Sequence, residues 1–118
     1  MDDNDDRATE EVRSACQDLL TRFGLLPLAN LRPHALDSHT RKLAHLIRIR
    51  LLDPDLIFLD DPLEELQGSD RVDIEGWIRA WAEDPGRILL ATTEEEDAEL
   101  PGIKRRVKLQ DGRLEGFP

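Results

Sequence analysis

The stretch Leu56-Ile57-Phe58-Leu59-Asp60-Asp61-Pro62 determines the fold class of this chain. Four consecutive apolar residues, in place of an alternating series, are typical of a strand that is covered on both faces. Such strands belong to parallel sheets that lie beneath helices. The strand ends in two acidic residues, and open α/β sheets bind ligands beyond the carboxyl ends of their strands. Asp60 and Asp61 are therefore the first candidate site residues.

The segments on either side of this strand predict an α/β domain. Apolar residues recur at helical spacing over residues 8–23 and 37–52, and Gly24 and Asp53-Pro54 are stop signals for these two helices. After the strand, the pattern predicts a helix that opens at 68–70, a second strand over 87–92 that is apolar on both faces, an acidic helix over 94–100 and a hairpin around Asp111-Gly112.

Length and charge limit the domain organisation and the classes of partner. The 118 residues predict one domain over 8–118, with a helical part (8–52) and an α/β part (53–118), preceded by a disordered acidic tail (1–7). The formal net charge of −10 opposes binding to nucleic acid or to an anionic membrane surface. An acidic N-terminus and the lack of a long apolar run predict a cytoplasmic protein with no direct membrane insertion.

A series of short motifs follows one another along the chain. They are Gly24-Leu25 after the first helix, Arg32-Pro33, the segment 36–40, a basic helix ending at Asp53-Pro54, Asp60-Asp61-Pro62, Thr92-Thr93 at the end of the second strand, and the hairpin segment 107–114. In this order and spacing they resemble the second half of ATP-binding cassette (ABC) ATPases. The resemblance covers roughly residues 10–116 and implies a partial P-loop NTPase-like fold, with a mostly parallel sheet, flanking helices and a C-terminal β-hairpin.

The resemblance gives the two acids specific roles. Asp60 matches the Walker B aspartate, which holds Mg²⁺, usually through water. Asp61 matches the catalytic glutamate that activates the attacking water, although its side chain is one methylene shorter. The residues alone leave another interpretation open, in which Asp60 caps a loop or the following helix and Asp61 is solvated.

Other motifs of the family are altered. The signature Leu-Ser-Gly-Gly-Gln is matched by Leu36, Asp37, Ser38, His39 and Thr40, and the side chains at 38 and 39 obstruct the backbone approach to a γ-phosphate. The simpler interpretation of this segment is a helix N-cap provided by Asp37 or Ser38. Thr93 stands at the position of the switch histidine and cannot supply a cationic contact. The phosphate-binding pattern Gly-x-x-x-x-Gly-Lys-Ser/Thr does not occur in the sequence.

The resemblance therefore predicts a chain that is not an ATPase on its own. We expect a non-catalytic accessory or regulatory module that docks on an intact ABC ATPase or permease, with no cofactor. The alternative is one half of a split ABC ATPase, which would use Mg-ATP only when a partner supplies the phosphate-binding loop. Because a buried strand does not tolerate an open edge, we also expect self-association or a protein partner, and a location that is peripheral to the inner face of a membrane through that partner.

Overall fold

The computed structural model describes residues 3–94 and 99–116. In chain order the helices and strands are α1 (Asp3–Arg22), α2 (Ser38–Leu52), β1 (Leu56–Asp60), α3 (Gly68–Glu83), β2 (Ile88–Thr92), β3 (Lys108–Gln110) and β4 (Arg113–Glu115). Two single 3₁₀ turns, Leu26–Leu28 and Pro33–Ala35, connect α1 to α2. The result is a mixed helix and strand structure with a small parallel sheet, compatible with an α/β fold. No helix within the described ranges is long and apolar enough to cross a membrane.

The first helix begins earlier than the sequence pattern predicts. Residues 3–7 were expected to be disordered, whereas the structure places them in α1. The other end agrees with the prediction: Gly24 adopts φ +72°, and the Leu25 amide donates to the Leu20 carbonyl at 2.7 Å. This left-handed C-terminal turn brings Phe23 and Leu25 into the core.

The strands form two small sheets. β1 and β2 pair in parallel, with Leu56 opposite Ile88 and Asp60 opposite Thr92. β3 and β4 pair antiparallel around Asp111 and Gly112, which both have positive φ, as the predicted two-residue hairpin requires. The acidic helix expected over 94–100 lies largely outside the described residues.

The core lies between the helices and one face of the parallel sheet. The tryptophans of α3 are central to it, since Trp77 packs edge-on against Phe23 with ring centroids 5.4 Å apart, and Trp81 is almost fully buried. The buried apolar residues are Phe23, Leu25, Leu43, Leu46, Ile47, Ile57, Leu59, Leu63, Leu66, Ile74, Trp77, Ile78 and Trp81.

The prediction that both strands are covered on both faces is wrong for the described part of the chain. Successive side chains of a strand point to opposite faces, and α2 and α3 both pack against the face that holds Ile57 and Leu59. The opposite face exposes four large apolar side chains by 52–68%. We call this surface the open sheet face; it consists of Leu56, Phe58, Ile88 and Leu90.

Candidate functional site

Asp60 lies at the C-terminal tip of β1, as the sequence predicts. The parallel register places Thr92, the last residue of β2, directly beside it. The Thr92 hydroxyl donates a hydrogen bond to Asp60 Oδ1 at 2.6 Å, and both side chains are exposed. Because residues 56, 58 and 60 point to one side of the strand, this polar pair forms the end of the open sheet face.

Asp61 is held mainly through its backbone. Its φ of +47° lies in the left-handed region, which is disfavoured for residues with a Cβ. The Asp61 amide donates to the carbonyl and hydroxyl oxygens of Thr92 at 3.1 and 3.2 Å. Its carbonyl accepts from Lys42 Nζ at 2.7 Å. Neighbouring elements therefore fix the chain direction at Asp61, immediately after the strand.

Thr92, to which the sequence pattern gave no role of its own, contacts both Asp60 and Asp61. Thr93, the residue predicted at the switch-histidine position, follows β2 and is half-buried. The two strands have five residues each and pair from end to end, and this pairing could have identified Thr92. A hydroxyl at the end of the second strand falls next to the acid at the end of the first.

The segment at the signature position begins α2. The Asp37 side chain caps the helix by accepting from the Thr40 amide at 2.7 Å, which decides between the two cap residues that the sequence left open. The hydrogen bonds from Thr40 hold the pKa of the Asp37 carboxyl below its usual value. Thr40 is buried and Leu36 is half-buried, so both contribute to packing at this end of the helix.

Ser38 and His39 contact the segments that follow β1. Ser38 Oγ donates to Glu65 Oε2 at 2.6 Å. The two ring nitrogens of His39 lie 3.2 Å from the Glu65 carbonyl and 3.3 Å from Asp70 Oδ2. The polar atoms at these two signature positions are thus engaged by the protein itself.

The residues around Asp60 do not by themselves fit a magnesium ion. Mg²⁺ requires nearly octahedral oxygen coordination, usually one or two carboxylates together with waters and substrate phosphates. Asp60 offers one exposed carboxylate, of which one oxygen already accepts from Thr92. Within residues 3–94 and 99–116 the structure contains no group of three or more His, Cys, Asp or Glu side chains that could hold a metal. A metal here would need further ligands from outside the described residues.

Comparisons with known proteins identify relatives that are import ATP-binding proteins. The chain is 31% identical over 107 residues to the nickel import ATP-binding protein NikO of Rhodobacter capsulatus, a match that covers 89% of this chain and 42% of the relative. It is 27% identical over 108 residues to the sulfate/thiosulfate import ATP-binding protein CysA of Brucella melitensis, covering 92% of this chain and 30% of CysA. The formylaminopyrimidine import ATP-binding protein ThiZ of Halalkalibacterium halodurans is 28% identical over 92 residues, which cover 77% of this chain and 37% of ThiZ.

The chain is thus similar over most of its length to ABC transporter ATP-binding proteins, and it matches only a C-terminal part of them. It spans less than half the length of the relatives it matches. No family model matches the sequence, and no solved structure matches significantly.

Proposed function

We propose that this chain is a non-catalytic ABC-ATPase-like module that docks on an intact ABC ATPase or a permease and regulates it. The open sheet face is the observation that carries this proposal. Parallel strands occur almost only in sheets covered on both faces, because both sides of the strands are apolar. Leu56, Phe58, Ile88 and Leu90 are more than half exposed, so this face has the composition of a core and the exposure of a surface. A docked protein would bury it.

The net charge favours a different protein over a second copy as the occupant. Two copies that each carry a formal charge of −10 repel one another on close approach. The relatives are import ATP-binding proteins, which makes an importer subunit a reasonable partner. Docking of this kind would place the chain in the cytoplasm, at the inner face of a membrane through its partner.

The absence of catalysis is the second half of the proposal. The sequence lacks the Gly-x-x-x-x-Gly-Lys-Ser/Thr pattern, whose backbone amides and lysine supply most of the affinity for nucleotide phosphates. Ser38 and His39 replace glycines, and both are bonded to Glu65. We therefore propose no cofactor for the chain alone.

The docking proposal is tested by capture of partners with the purified chain. A matched pair of variants separates the open sheet face from exposed apolar surface in general: Phe58→Ser removes a side chain that is 62% exposed on this face, and Val72→Ser removes one that is 68% exposed on α3. We expect wild type and Val72→Ser to retain an ABC ATPase subunit or a permease, and Phe58→Ser to lose it. Equal recovery by all three proteins would contradict docking through this face, and recovery of chaperones alone would contradict docking.

A thermal-shift titration tests the lack of nucleotide binding. A ligand that binds only the native state raises the melting temperature in a concentration-dependent way, by an amount equivalent to about 2.7 kcal/mol at one hundred times its Kd. We expect no shift with millimolar Mg-ATP or Mg-ADP. A saturable rise would contradict the proposal and favour direct nucleotide binding.

A split ABC ATPase is the second candidate, and the geometry at the end of β1 favours it. In the family resemblance Asp60 and Asp61 match the Walker B acids, and Asp60 is exposed at the tip of the strand. In this case the partner supplies the phosphate-binding loop and Mg-ATP binds between the two chains. The partner's Mg-ATPase rate should then rise when this chain is added and fall again with Asp61→Asn. A rate that responds to neither change excludes the split enzyme.

A further inference from the structure

Lys42 joins α2 to the segment that carries Asp61. Its side chain is half-buried, and Nζ donates to the Asp61 carbonyl at 2.7 Å and to the Glu64 carbonyl at 3.0 Å. We call residues 61–66 the post-strand loop. One ammonium group thus closes this loop against the helix by binding two carbonyls that lie three residues apart.

The post-strand loop needs such support because its backbone is not relaxed. Asp61 and Glu65 adopt φ of +47° and +67°, a region that residues with a Cβ rarely occupy and that persists only where surrounding contacts enforce it. Leu63 and Leu66 anchor the loop by burial in the core. Two side chains of α2 contact carbonyls of this loop: Lys42 donates to those of Asp61 and Glu64, and a ring nitrogen of His39 lies 3.2 Å from that of Glu65.

Lys42 also borders the open sheet face. A groove of about 280 Å³ runs beside β1, and its lining includes Lys42, Ile49, Phe58 and Asp60. A protein that packs on Phe58 therefore reaches the lysine that holds Asp61. Lys42 therefore lies between the surface proposed for docking and the loop that carries Asp61.

We propose that Lys42 is a positioning residue, which fixes the backbone that carries Asp61 and links it to docking at the open sheet face. The link to docking rests on the proposed function. The positioning itself is a property of the chain alone and is tested without any partner.

The test compares Lys42→Met, which removes the ammonium and keeps much of the apolar stem, with Lys42→Arg, which restores a cation able to reach two carbonyls. Amide hydrogen exchange is measured by NMR at Asp61, Glu64 and Leu66, whose amides are bonded within or beside the loop. Hydrogen bonds to charged groups contribute enough that we expect exchange at these amides to accelerate about tenfold in Lys42→Met. We also expect the Asp61 carboxyl ¹³C resonance to shift. Both changes should largely revert in Lys42→Arg.

Arg41→Met is the matched control, because it removes an exposed neighbouring cation from the same helix. It should leave exchange in the loop unchanged. If Lys42→Met leaves loop exchange and the Asp61 resonance unchanged, Lys42 does not position the loop. If exchange accelerates equally in α3 and β1, Lys42 contributes only general stability and the proposal is wrong. Failure of partner capture would leave this result standing, so the two proposals are separable.

Discussion

The two faces of the β1–β2 sheet are built from the same kinds of residue and have opposite surroundings. Ile57 and Leu59 are 2% and 4% exposed beneath the helices, whereas Leu56 and Phe58, on the same strand, are 66% and 62% exposed. Hydrophobicity alone cannot distinguish these four positions, since all are large and apolar. An apolar strand therefore indicates that both of its faces require a covering layer, and one of these two layers is not found among the described residues.

Replacing one leucine by alanine on each face of the sheet should give the greatest difference in stability between the two faces. Leu59→Ala removes a buried side chain, and substitutions of this kind cost about 2–5 kcal/mol through lost burial and the cavity left behind. Leu56→Ala removes the same atoms from an exposed position, where changes usually stay within about 0.5 kcal/mol. Urea unfolding of the two variants measures the difference. Similar losses in both would show that the open sheet face is covered in the isolated chain.

A second substitution, at the polar end of the open sheet face, should change the stability by a smaller amount. Thr92→Val removes the hydroxyl that donates to Asp60 and keeps the side-chain shape. Because this pair is exposed, we expect a loss of about 0.5–1 kcal/mol in the free energy of unfolding. The loss should shrink in an Asp60→Ala background, which removes the acceptor, if it comes from this contact; a double-mutant cycle measures the difference. Additive losses would show that the two side chains do not interact in solution.

The smallest expected effect concerns the cap of α2, which belongs to the covered side of the sheet. The pKa of Asp37 is lowered by the hydrogen bonds from Thr40, so its charged form stabilises the fold above the pKa of the unfolded chain, and this contribution disappears as pH falls through the lower folded value. Asp37→Asn keeps a capping oxygen that does not titrate. Wild type should therefore be the more stable protein at pH 7 and lose this advantage below about pH 4. A difference that is constant with pH would contradict this origin.

The sequence predicted local structure well wherever a local signal existed. Gly24, Asp53-Pro54 and Asp111-Gly112 each mark a boundary that the structure has, because a stop or turn depends on a few adjacent residues. The open sheet face could not be predicted, because burial depends on which layers the rest of the chain supplies. Lys42 was missed for a similar reason: a lysine on a basic helix carries no sign that its ammonium binds carbonyls 19 and 22 residues away.

The roles of the candidate site residues depend on more than their positions. Asp60 and Asp61 lie where the family resemblance places them, at the end of a parallel strand. Whether they take part in hydrolysis depends on a phosphate-binding loop that the sequence does not contain. Their surroundings instead show Thr92 bonded to one acid and Lys42 to the backbone of the other. These contacts hold Asp60 and the backbone of Asp61 within the protein itself, which is consistent with the proposed non-catalytic module.

Quantitative capture of partners by the wild-type chain and by Phe58→Ser tests the docking proposal most directly. The captured proteins are identified by mass spectrometry, with Val72→Ser measured in parallel. Docking through the open sheet face predicts that an ABC ATPase subunit or a permease is enriched by wild type and by Val72→Ser, and falls at least about tenfold with Phe58→Ser, as expected for the loss of a central aromatic contact. Equal enrichment by Phe58→Ser, or none of these proteins with wild type, would contradict it.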